Sequence, residues 1–338
     1  MKEEYLVTYY NELDGFAKER IDKAIIDHIH SKFASTTYCL KTCPKCGCLN
    51  PKWKSGGRTN SNKQMLKCPE CGKRTCVDYG QLTAHSHQDE SAWDILIKDT
   101  FDEVSVEETA AKLNISTYTV WRMRHKLLHF LEFLEKDTLV ANEIEIDETY
   151  VLNSHKGEKI ENTKARKRGG IASKRGLSNE QVCIVTAVQR GAHSIAQVTN
   201  MGNPTAQDIL KISNNIQSNS MVWVDGKTSY DNLIKYRQCE ARVMETYKSY
   251  TTIDHLNNVN AFHTLIQKRY KRYGGVATKY LNRYLALFVN IRRYAGCDLQ
   301  EILLFIKKRM RQHTNFFRIV YMKTTDLFYY TTGNSPFC

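Results

Sequence analysis

The first pattern along the chain is helical. Apolar residues recur at spacings of three and four in residues 1–38, including Phe16 and Ile21, which is the period of an amphipathic helix. Residues 39–82 are rich in Cys, Gly and Lys and poor in apolar side chains, and the helical period returns over residues 90–136. We therefore expect an N-terminal helical segment, a small module of a different kind and a second helical region.

Strand patterns begin in the middle of the chain. Residues 143–147 alternate between polar and apolar side chains, and the apolar run 182–188 is typical of a buried strand. Two more strands are expected over residues 194–199 and 221–224.

Helical patterns follow these strands. A short helix is expected after Pro204, with Thr205 near its start, and helical periods dominate from residue 257, notably over 280–294 and 299–310. Strands followed by helices indicate a mixed sheet flanked by helices. The predicted fold class is therefore a multidomain α+β or α/β protein. Its expected segments are a helical segment (1–38), a Cys-rich module (39–82), a helical region (90–136), a mixed α/β domain (141–298) and a C-terminal helical extension (299–338).

The chain is basic, with 49 Lys and Arg residues against 36 Asp and Glu residues and a net charge of +13. Such an excess suits a polyanionic partner, although a merely soluble basic protein has the same total. Its distribution favours the partner, because residues 89–108 are acidic whereas residues 156–176 form a basic stretch. We expect that stretch to be a loop that contacts the phosphates of double-stranded DNA. Its central basic residues are Lys164, Arg166, Lys167 and Arg168.

The chain contains no apolar stretch of about 18 residues and its start lacks the pattern of a secretory signal. We therefore expect a cytoplasmic protein that does not enter a membrane.

Most of the eleven cysteines lie between Cys39 and Cys76, and clustered cysteines in a chain without a secretory signal indicate a metal site. Two C-x-x-C motifs, each followed by glycine, are separated by 21 residues. Four thiolates at this spacing complete a closed tetrahedral zinc site, so we expect a zinc ribbon that depends on the metal for its folding. The expected ligands are Cys43, Cys46, Cys68 and Cys71, with Cys48 and Cys76 as spare thiols.

Residues 105–127 have the pattern of a helix-turn-helix. Val106 and Ala110 would face inward from the first helix, Asn114 tolerates a left-handed turn, and Ser116 can cap the next helix. The outer face of the second helix would then be free to contact DNA, although an ordinary helical hairpin has a similar pattern. The predicted contacts are Thr117, Tyr118, Trp121 and Arg122.

Two aspartates follow strand patterns. Asp147 ends the alternating run and Asp225 ends the apolar run before Gly226. Carboxylates at the ends of neighbouring strands can share hard divalent cations, and two such ions activate an attacking oxygen and stabilise a leaving one. Asn260, separated from Asp225 by 34 residues, lies in a helical pattern that could present a third oxygen ligand. Turns, helix caps and backbone hydrogen bonds are the alternative roles for all three residues.

Glu145, Glu148 and His263 lie close to these residues in the sequence. Strand alternation is expected to turn Glu145 and Glu148 away from Asp147, so both are left out of the predicted site. His263 shares a helix face with Asn260 and could contact metal or DNA, or serve as a hydrogen-bonded structural residue.

The motifs I-D-E-T-Y at Asp147, V-D-G at Asp225 and H-L-N-N-V-N-A-F-H around Asn260, after the ribbon and helix-turn-helix patterns, resemble the ISXO-like insertion-sequence transposases. The resemblance covers about residues 40–295. That family is a branch of the DDE superfamily with an RNase H-like core. The resemblance implies hydrolysis at the ends of the element and attack of the 3′-hydroxyl on target DNA, with Mg²⁺ or Mn²⁺. It also implies Asp147, Asp225 and Asn260 as the metal ligands.

One position departs from the family. The resemblance implies a lysine one helical stretch after Asn260 on the same face, where this chain has Gln267 followed by Lys268. Either Lys268 takes that role, and it is our fourth candidate catalytic residue, or the phosphate contact is weakened. An inactive, decayed copy is therefore one alternative.

The predicted function is that of an insertion-sequence transposase associated with the nucleoid. We expect a homodimer or a larger assembly, since two element ends must be held together. The alternatives are a non-catalytic DNA-binding regulator with the same two N-terminal modules, and a different RNase H-like nuclease.

Overall fold

The computed structural model describes residues 40, 42–60, 63–157, 172–174, 176–244 and 251–312. The chain divides into two compact units, Met1–Tyr79 and Gly80–Cys338. The predicted N-terminal helical segment lies outside the described residues, and so does the end of the C-terminal extension. Within the described residues, no helix combines the length and hydrophobicity that crossing a membrane requires.

The first unit contains a three-stranded antiparallel sheet in the order β1-β2-β3. Its strands are β1 (Lys54–Arg58), β2 (Gln64–Lys67) and β3 (Arg74–Cys76). One C-x-x-C motif precedes β1 and the other connects β2 to β3.

The two C-x-x-C turns have the same backbone geometry. Gly47 and Gly72 follow them with φ of 73° and 71°, a left-handed conformation that glycine adopts without steric cost. Their N–H groups donate to the carbonyls of Cys43 and Cys68, each over 3.0 Å. The glycines are therefore required by the tight turn behind each cysteine pair.

The second unit begins with three helices, α1 (Glu90–Phe101), α2 (Val106–Leu113) and α3 (Thr117–Glu135). The turn between α2 and α3 has the predicted form. Asn114 adopts the left-handed conformation with φ of 51°, and the Ser116 side chain caps α3 by accepting from the backbone N–H of Thr119.

A buried polar network joins these three helices. The Asp99 carboxylate of α1 accepts from the Thr109 hydroxyl at 2.9 Å and from the Lys112 ammonium at 2.8 Å. The Thr109 hydroxyl oxygen accepts in turn from Arg124 of α3 at 3.3 Å. Burial lowers the pKa of the Arg124 guanidinium. A buried cation depends on nearby anions for its stability, so Asp99 fixes how the helices pack.

The second unit continues into a five-stranded mixed sheet in the order β6-β5-β4-β7-β8. β4 pairs antiparallel with β5 and parallel with β7, and it is the central strand. The strands are β4 (Glu143–Leu152), β5 (Gln181–Gln189), β6 (Ser194–Met201), β7 (Met221–Asp225) and β8 (Glu240–Met244).

Helices cover both faces of this sheet. Alternate apolar residues of β5 enter a core with α6 and α7 on one face, and the residues between them enter a core with α4 and α5 on the other. The first of these cores also contains α1, α3 and α8. The helices are α4 (Ala206–Leu210), α5 (Asp231–Arg237), α6 (Asn257–Arg272), α7 (Leu281–Arg293) and α8 (Leu299–Gln312).

The predicted mixed sheet flanked by helices is confirmed, and the four predicted strands are present. β8 was not predicted from the sequence. Four of its five residues are exposed, and its alternation is short, with only Ala241 and Val243 between the polar residues.

We predict that Asp99→Ala lowers the free energy of unfolding of the second unit by about 3 kcal/mol, because it leaves Arg124 buried without its anion. Urea unfolding followed by tryptophan fluorescence measures the change. Asp102→Ala is the control, since Asp102 is exposed and should change stability by less than about 0.5 kcal/mol. Equal effects of the two substitutions would contradict the assigned role of Asp99.

Candidate metal centres

The face of β4 that looks towards α6 is polar. Alternation along the strand places Glu145, Asp147 and Thr149 on this face, and each contacts α6. The contacts run in order along the strand and the helix. Glu145 contacts the start of α6, Asp147 lies near His263, and Thr149 contacts Gln267. Helix α6 therefore lies alongside β4, with one face turned towards Asp147.

Asp147 and Asp225 lie beside each other at the end of β7. The last recorded pair of the parallel β4–β7 ladder is Glu145 with Trp223, and two more residues along both strands lead to the two aspartates. Their carboxylate oxygens lie within 4.8 Å of each other. Parallel pairing thus brings together two acids that are far apart in the chain, and oxygen ligands at this separation suit a divalent cation.

Glu148 joins the same group, although the sequence pattern left it out of the predicted site. It lies on the opposite face of β4 from Asp147, yet one of its oxygens is also within 4.8 Å of the oxygens of Asp147 and Asp225. We call Asp147, Glu148 and Asp225 the carboxylate cluster. β7 ends at Asp225, so the long Glu148 side chain can reach the cluster beyond the end of that strand.

Lys227 is the cation of this cluster. Its ammonium contacts the Glu148 carboxylate and lies 3.0 Å from Asp225 Oδ2, and its backbone N–H donates to Asp225 Oδ1 at 3.2 Å. Against the effect of partial burial, these two carboxylates raise the pKa of Lys227. Lys227 was not predicted as part of the site, although its position two residues after Asp225 was the available signal.

The cluster is electrostatically crowded. Burial, with the nearby charges of Glu148 and Asp225, raises the pKa of Asp147 to about 6, although the Glu148 backbone N–H and Lys227 act in the opposite direction. That N–H donates to Asp147 Oδ1 at 2.8 Å. The ionised form of Asp147 is therefore held at a cost in free energy that a bound cation would relieve.

His263 places an imidazole next to Asp147. The Thr186 hydroxyl donates to the Asp147 carbonyl at 2.9 Å, so its oxygen accepts from His263 Nε2 at 2.7 Å. This hydrogen bond places the ring proton on Nε2, so the lone pair of Nδ1 is available to a ligand. Nδ1 lies 3.9 Å from Asp147 Oδ2. Burial lowers the pKa of His263 to about 4, so the ring is neutral and could bind a metal ion.

Asn260 and Lys268 stay predictions. Asn260 is exposed and lies one turn before His263, on the same face of α6. Gln267 occupies the position where the resemblance implies lysine, and it donates to Tyr150 O at 2.7 Å and to Thr149 Oγ1 at 3.1 Å. The Gln267 side chain thus attaches α6 to β4, while Lys268 is exposed next to it.

Glu145 lies on the same face of β4 as Asp147, and its predicted orientation was wrong. Residues two positions apart in a strand share a face. The fully buried Glu145 carboxylate accepts from the backbone N–H groups of Asn258 and Val259 at 2.8 and 3.0 Å, and from Arg190 Nε at 2.9 Å. It therefore caps the N-terminus of α6 and is not part of the carboxylate cluster.

The first unit contains a second group of candidate ligands. The sulfur atoms of the four predicted cysteines lie within 4.8 Å of one another, with Cys43 3.7 Å from Cys71 and Cys46 3.8 Å from Cys68. Four cysteine sulfurs at these separations fit a tetrahedral zinc ion, which binds them as thiolates.

Cys48 lies at the edge of this group. Its sulfur is 3.3 Å from that of Cys46 and 3.5 Å from that of Cys68, so it is closer to the four than the prediction of a spare thiol implied.

The predicted DNA-contacting residues of α3 are all exposed; they are Thr117, Tyr118, Trp121 and Arg122. Tyr118 stacks on Trp121 with ring centroids 6.2 Å apart, and the Arg122 guanidinium lies 5.8 Å from the Tyr118 ring centroid. Trp121 also meets the edge of Tyr280 at 6.1 Å. Aromatic rings beside cations suit contact with nucleic acid. The predicted phosphate contacts Lys164, Arg166, Lys167 and Arg168 lie outside the described residues.

Solved structures similar to this chain include complexes of DNA-processing proteins. The pre-cleavage Mos1 transpososome is 9% identical with a TM-score of 0.24, over 67% of this chain and 80% of that chain. The Mos1 mariner paired end complex with Mn is 10% identical with a TM-score of 0.26, over 67% and 80%. The simian T-cell lymphotropic virus intasome, in complex with PP2A regulatory subunit B56 gamma, is 11% identical with a TM-score of 0.27, over 57% and 67%. Scores this low indicate a distant likeness only.

No curated protein matches the chain. A family model does match, over residues 139–289, and it is described as the ISXO2-like transposase domain. The matched segment contains β4 to β8, α6 and most of α7, and thus the whole carboxylate cluster. The predicted resemblance is confirmed for this segment. Residues 139–289 are therefore similar to the ISXO2-like transposase domain, as the motifs predict.

Proposed function

We propose that the chain is an insertion-sequence transposase that binds the terminal repeats of its element and catalyses divalent-metal-dependent cleavage and transfer of DNA strands. The observation that carries this proposal is the approach of Asp147 and Asp225 within 4.8 Å at the end of β7, inside the matched transposase segment. We also infer an RNase H-like core, which the strand order with β4 at its centre supports.

Asp147 and Asp225 are the proposed ligands of Mg²⁺ or Mn²⁺, with Asn260 as the third. A divalent ion there would supply the Lewis-acid stabilisation that phosphodiester cleavage and transfer require. The protein's own contribution is positioning. The β4–β7 ladder sets the separation of the two aspartates, and Gln267 and Glu145 hold α6 beside them.

DNA binding is assigned to the two N-terminal modules and to the basic loop. The exposed side of α3 carries aromatic and basic side chains, and the net charge of +13 favours a polyanion. We propose that Zn²⁺ at the four cysteines stabilises the ribbon, since this three-stranded sheet is too small to be stable on apolar burial alone. A homodimer or larger assembly follows from the need to hold two DNA ends.

A non-catalytic regulator is the alternative that an experiment must exclude. The carboxylate cluster disfavours it, because three acids around the single ammonium of Lys227 leave an excess of negative charge that a bound cation would offset.

We predict that Asp147→Ala and Asp225→Ala each reduce Mn²⁺-dependent cleavage of DNA carrying the element's ends by roughly a thousandfold or more. Binding of that DNA in a gel-shift assay should change little. Asp231→Ala is the control, because Asp231 is exposed and lies outside the carboxylate cluster. Undiminished cleavage by both cluster variants would refute the assigned site.

We predict that Cys43→Ser and Cys71→Ser remove bound zinc, because each deletes one of four ligands. Metal analysis of the purified protein should find about one Zn²⁺ per chain in the wild type and much less in the variants. Cys76→Ser provides the matched control from β3 and should retain its zinc. Equal zinc contents in all the proteins would contradict a four-cysteine site.

The raised pKa of Asp147 predicts how the stability of the metal-free protein depends on pH. The pKa of Asp147 is raised in the folded chain from 3.8 to about 6, so the folded chain binds this proton more tightly than the unfolded chain. The stability that the proton provides is lost as pH rises through about 6. Asp147→Asn should therefore be more stable than the wild type at about pH 7.5, by about 1 to 3 kcal/mol.

Thermal unfolding with a chelator, between about pH 4 and pH 8, measures this difference, which should vanish near pH 4. Added Mn²⁺ should raise the melting temperature of the wild type but not that of Asp147→Asn. A variant less stable than the wild type at about pH 7.5 would show that the Asp147 carboxylate is not crowded.

A further inference from the structure

Glu148 is buried in a way that needs an explanation. Its side chain has no exposed surface, although carboxylates are rarely so buried unless they are paired. One oxygen contacts Lys227. The other, Oε1, lies in the buried interior with the neutral hydroxyl of Tyr230 near the carboxylate. A carboxylate so buried, with one partly exposed ammonium as its charged partner in the cluster, has negative charge that a further cation could offset.

The charges of the cluster do not balance. Three carboxylates meet one ammonium, that of Lys227, which leaves a formal charge of −2. The missing charge equals that of one divalent cation.

Glu148 is placed to bind the divalent cation that would balance this charge. Asn260, the third ligand that the resemblance implies, is a neutral amide and adds no negative charge. Glu148 supplies a carboxylate from the residue next to Asp147, and its oxygen already lies within 4.8 Å of the oxygens of both aspartates. Affinity for divalent cations rises with the number of charged oxygen ligands.

We propose that Glu148 is a third carboxylate ligand of the divalent-metal site, and that Lys227 is the counter-ion that the metal displaces from it. This inference rests on the proposed function, because it presumes that Asp147 and Asp225 bind the metal. It assigns Lys227 a definite role in the metal-free chain, where its ammonium offsets part of the charge of two carboxylates. The Lys227 side chain is 39% exposed, so it has room to move away.

Calorimetric titration of the full-length protein with Mn²⁺, without DNA, tests the proposal independently of catalysis. Glu148→Gln should weaken Mn²⁺ binding at least about tenfold. Lys227→Met should strengthen binding by about three- to tenfold, because the competing cation is removed. Glu143→Gln is the matched control, an exposed glutamate of the same strand, and should bind Mn²⁺ like the wild type.

Asp225→Asn separates the two levels of the inference. If Asp225→Asn loses Mn²⁺ binding while Glu148→Gln binds like the wild type, the role of Glu148 is refuted and the proposed function stands. If Asp225→Asn also binds like the wild type, the proposed function itself fails.

Thermal unfolding of metal-free Glu148→Gln checks that the variant folds. Should it be unfolded, Lys227→Met decides. Tighter Mn²⁺ binding by Lys227→Met supports the proposal, and unchanged or weaker binding contradicts it.

Discussion

The buried Glu145 carboxylate is the interaction on which the arrangement of the second unit depends. It accepts hydrogen bonds from the first turn of α6 and from Arg190, and Arg190 also donates to the carbonyls of Ile253 and His255 just before that helix. The Arg190 guanidinium lies 3.8 Å from the ring centroid of Trp223 on β7. One charge thus satisfies the free N–H groups of a helix start and fixes α6 against the central strand.

The surroundings of the carboxylate cluster depend on that attachment. With its start held at Glu145, α6 lies along β4 so that His263 faces Asp147 and Gln267 bonds to Thr149 and Tyr150. The same strand gathers acids at the end of β7, where burial, followed by the charges of Glu148 and Asp225, raises the pKa of Asp147. The clustered charges therefore destabilise the fold, and apolar packing elsewhere offsets that cost. Such perturbed acids are typical of functional sites, including sites that bind a cation.

Much of the fold could be predicted from period and spacing, because β4 to β7 and the later helices bury regular apolar faces. β8 was missed, since this short and mostly exposed edge strand offers only Ala241 and Val243 as alternating apolar residues. Glu145 was misplaced although strand geometry alone puts it beside Asp147. Glu148 required three-dimensional knowledge, because its long side chain reaches the cluster only where β7 ends. The contacts of Asn260 also do not follow from its position in the chain, because they depend on how α6 packs against the sheet.

The central claim is that Asp147 and Asp225 share a divalent cation. Anomalous X-ray scattering from crystals of the protein grown with Mn²⁺ tests it most directly, because the signal locates the ion without assumptions about ligands. We expect a peak between the two carboxylates, about 2 Å from an oxygen of each. Ordered side chains at both aspartates with manganese bound only elsewhere would contradict the account.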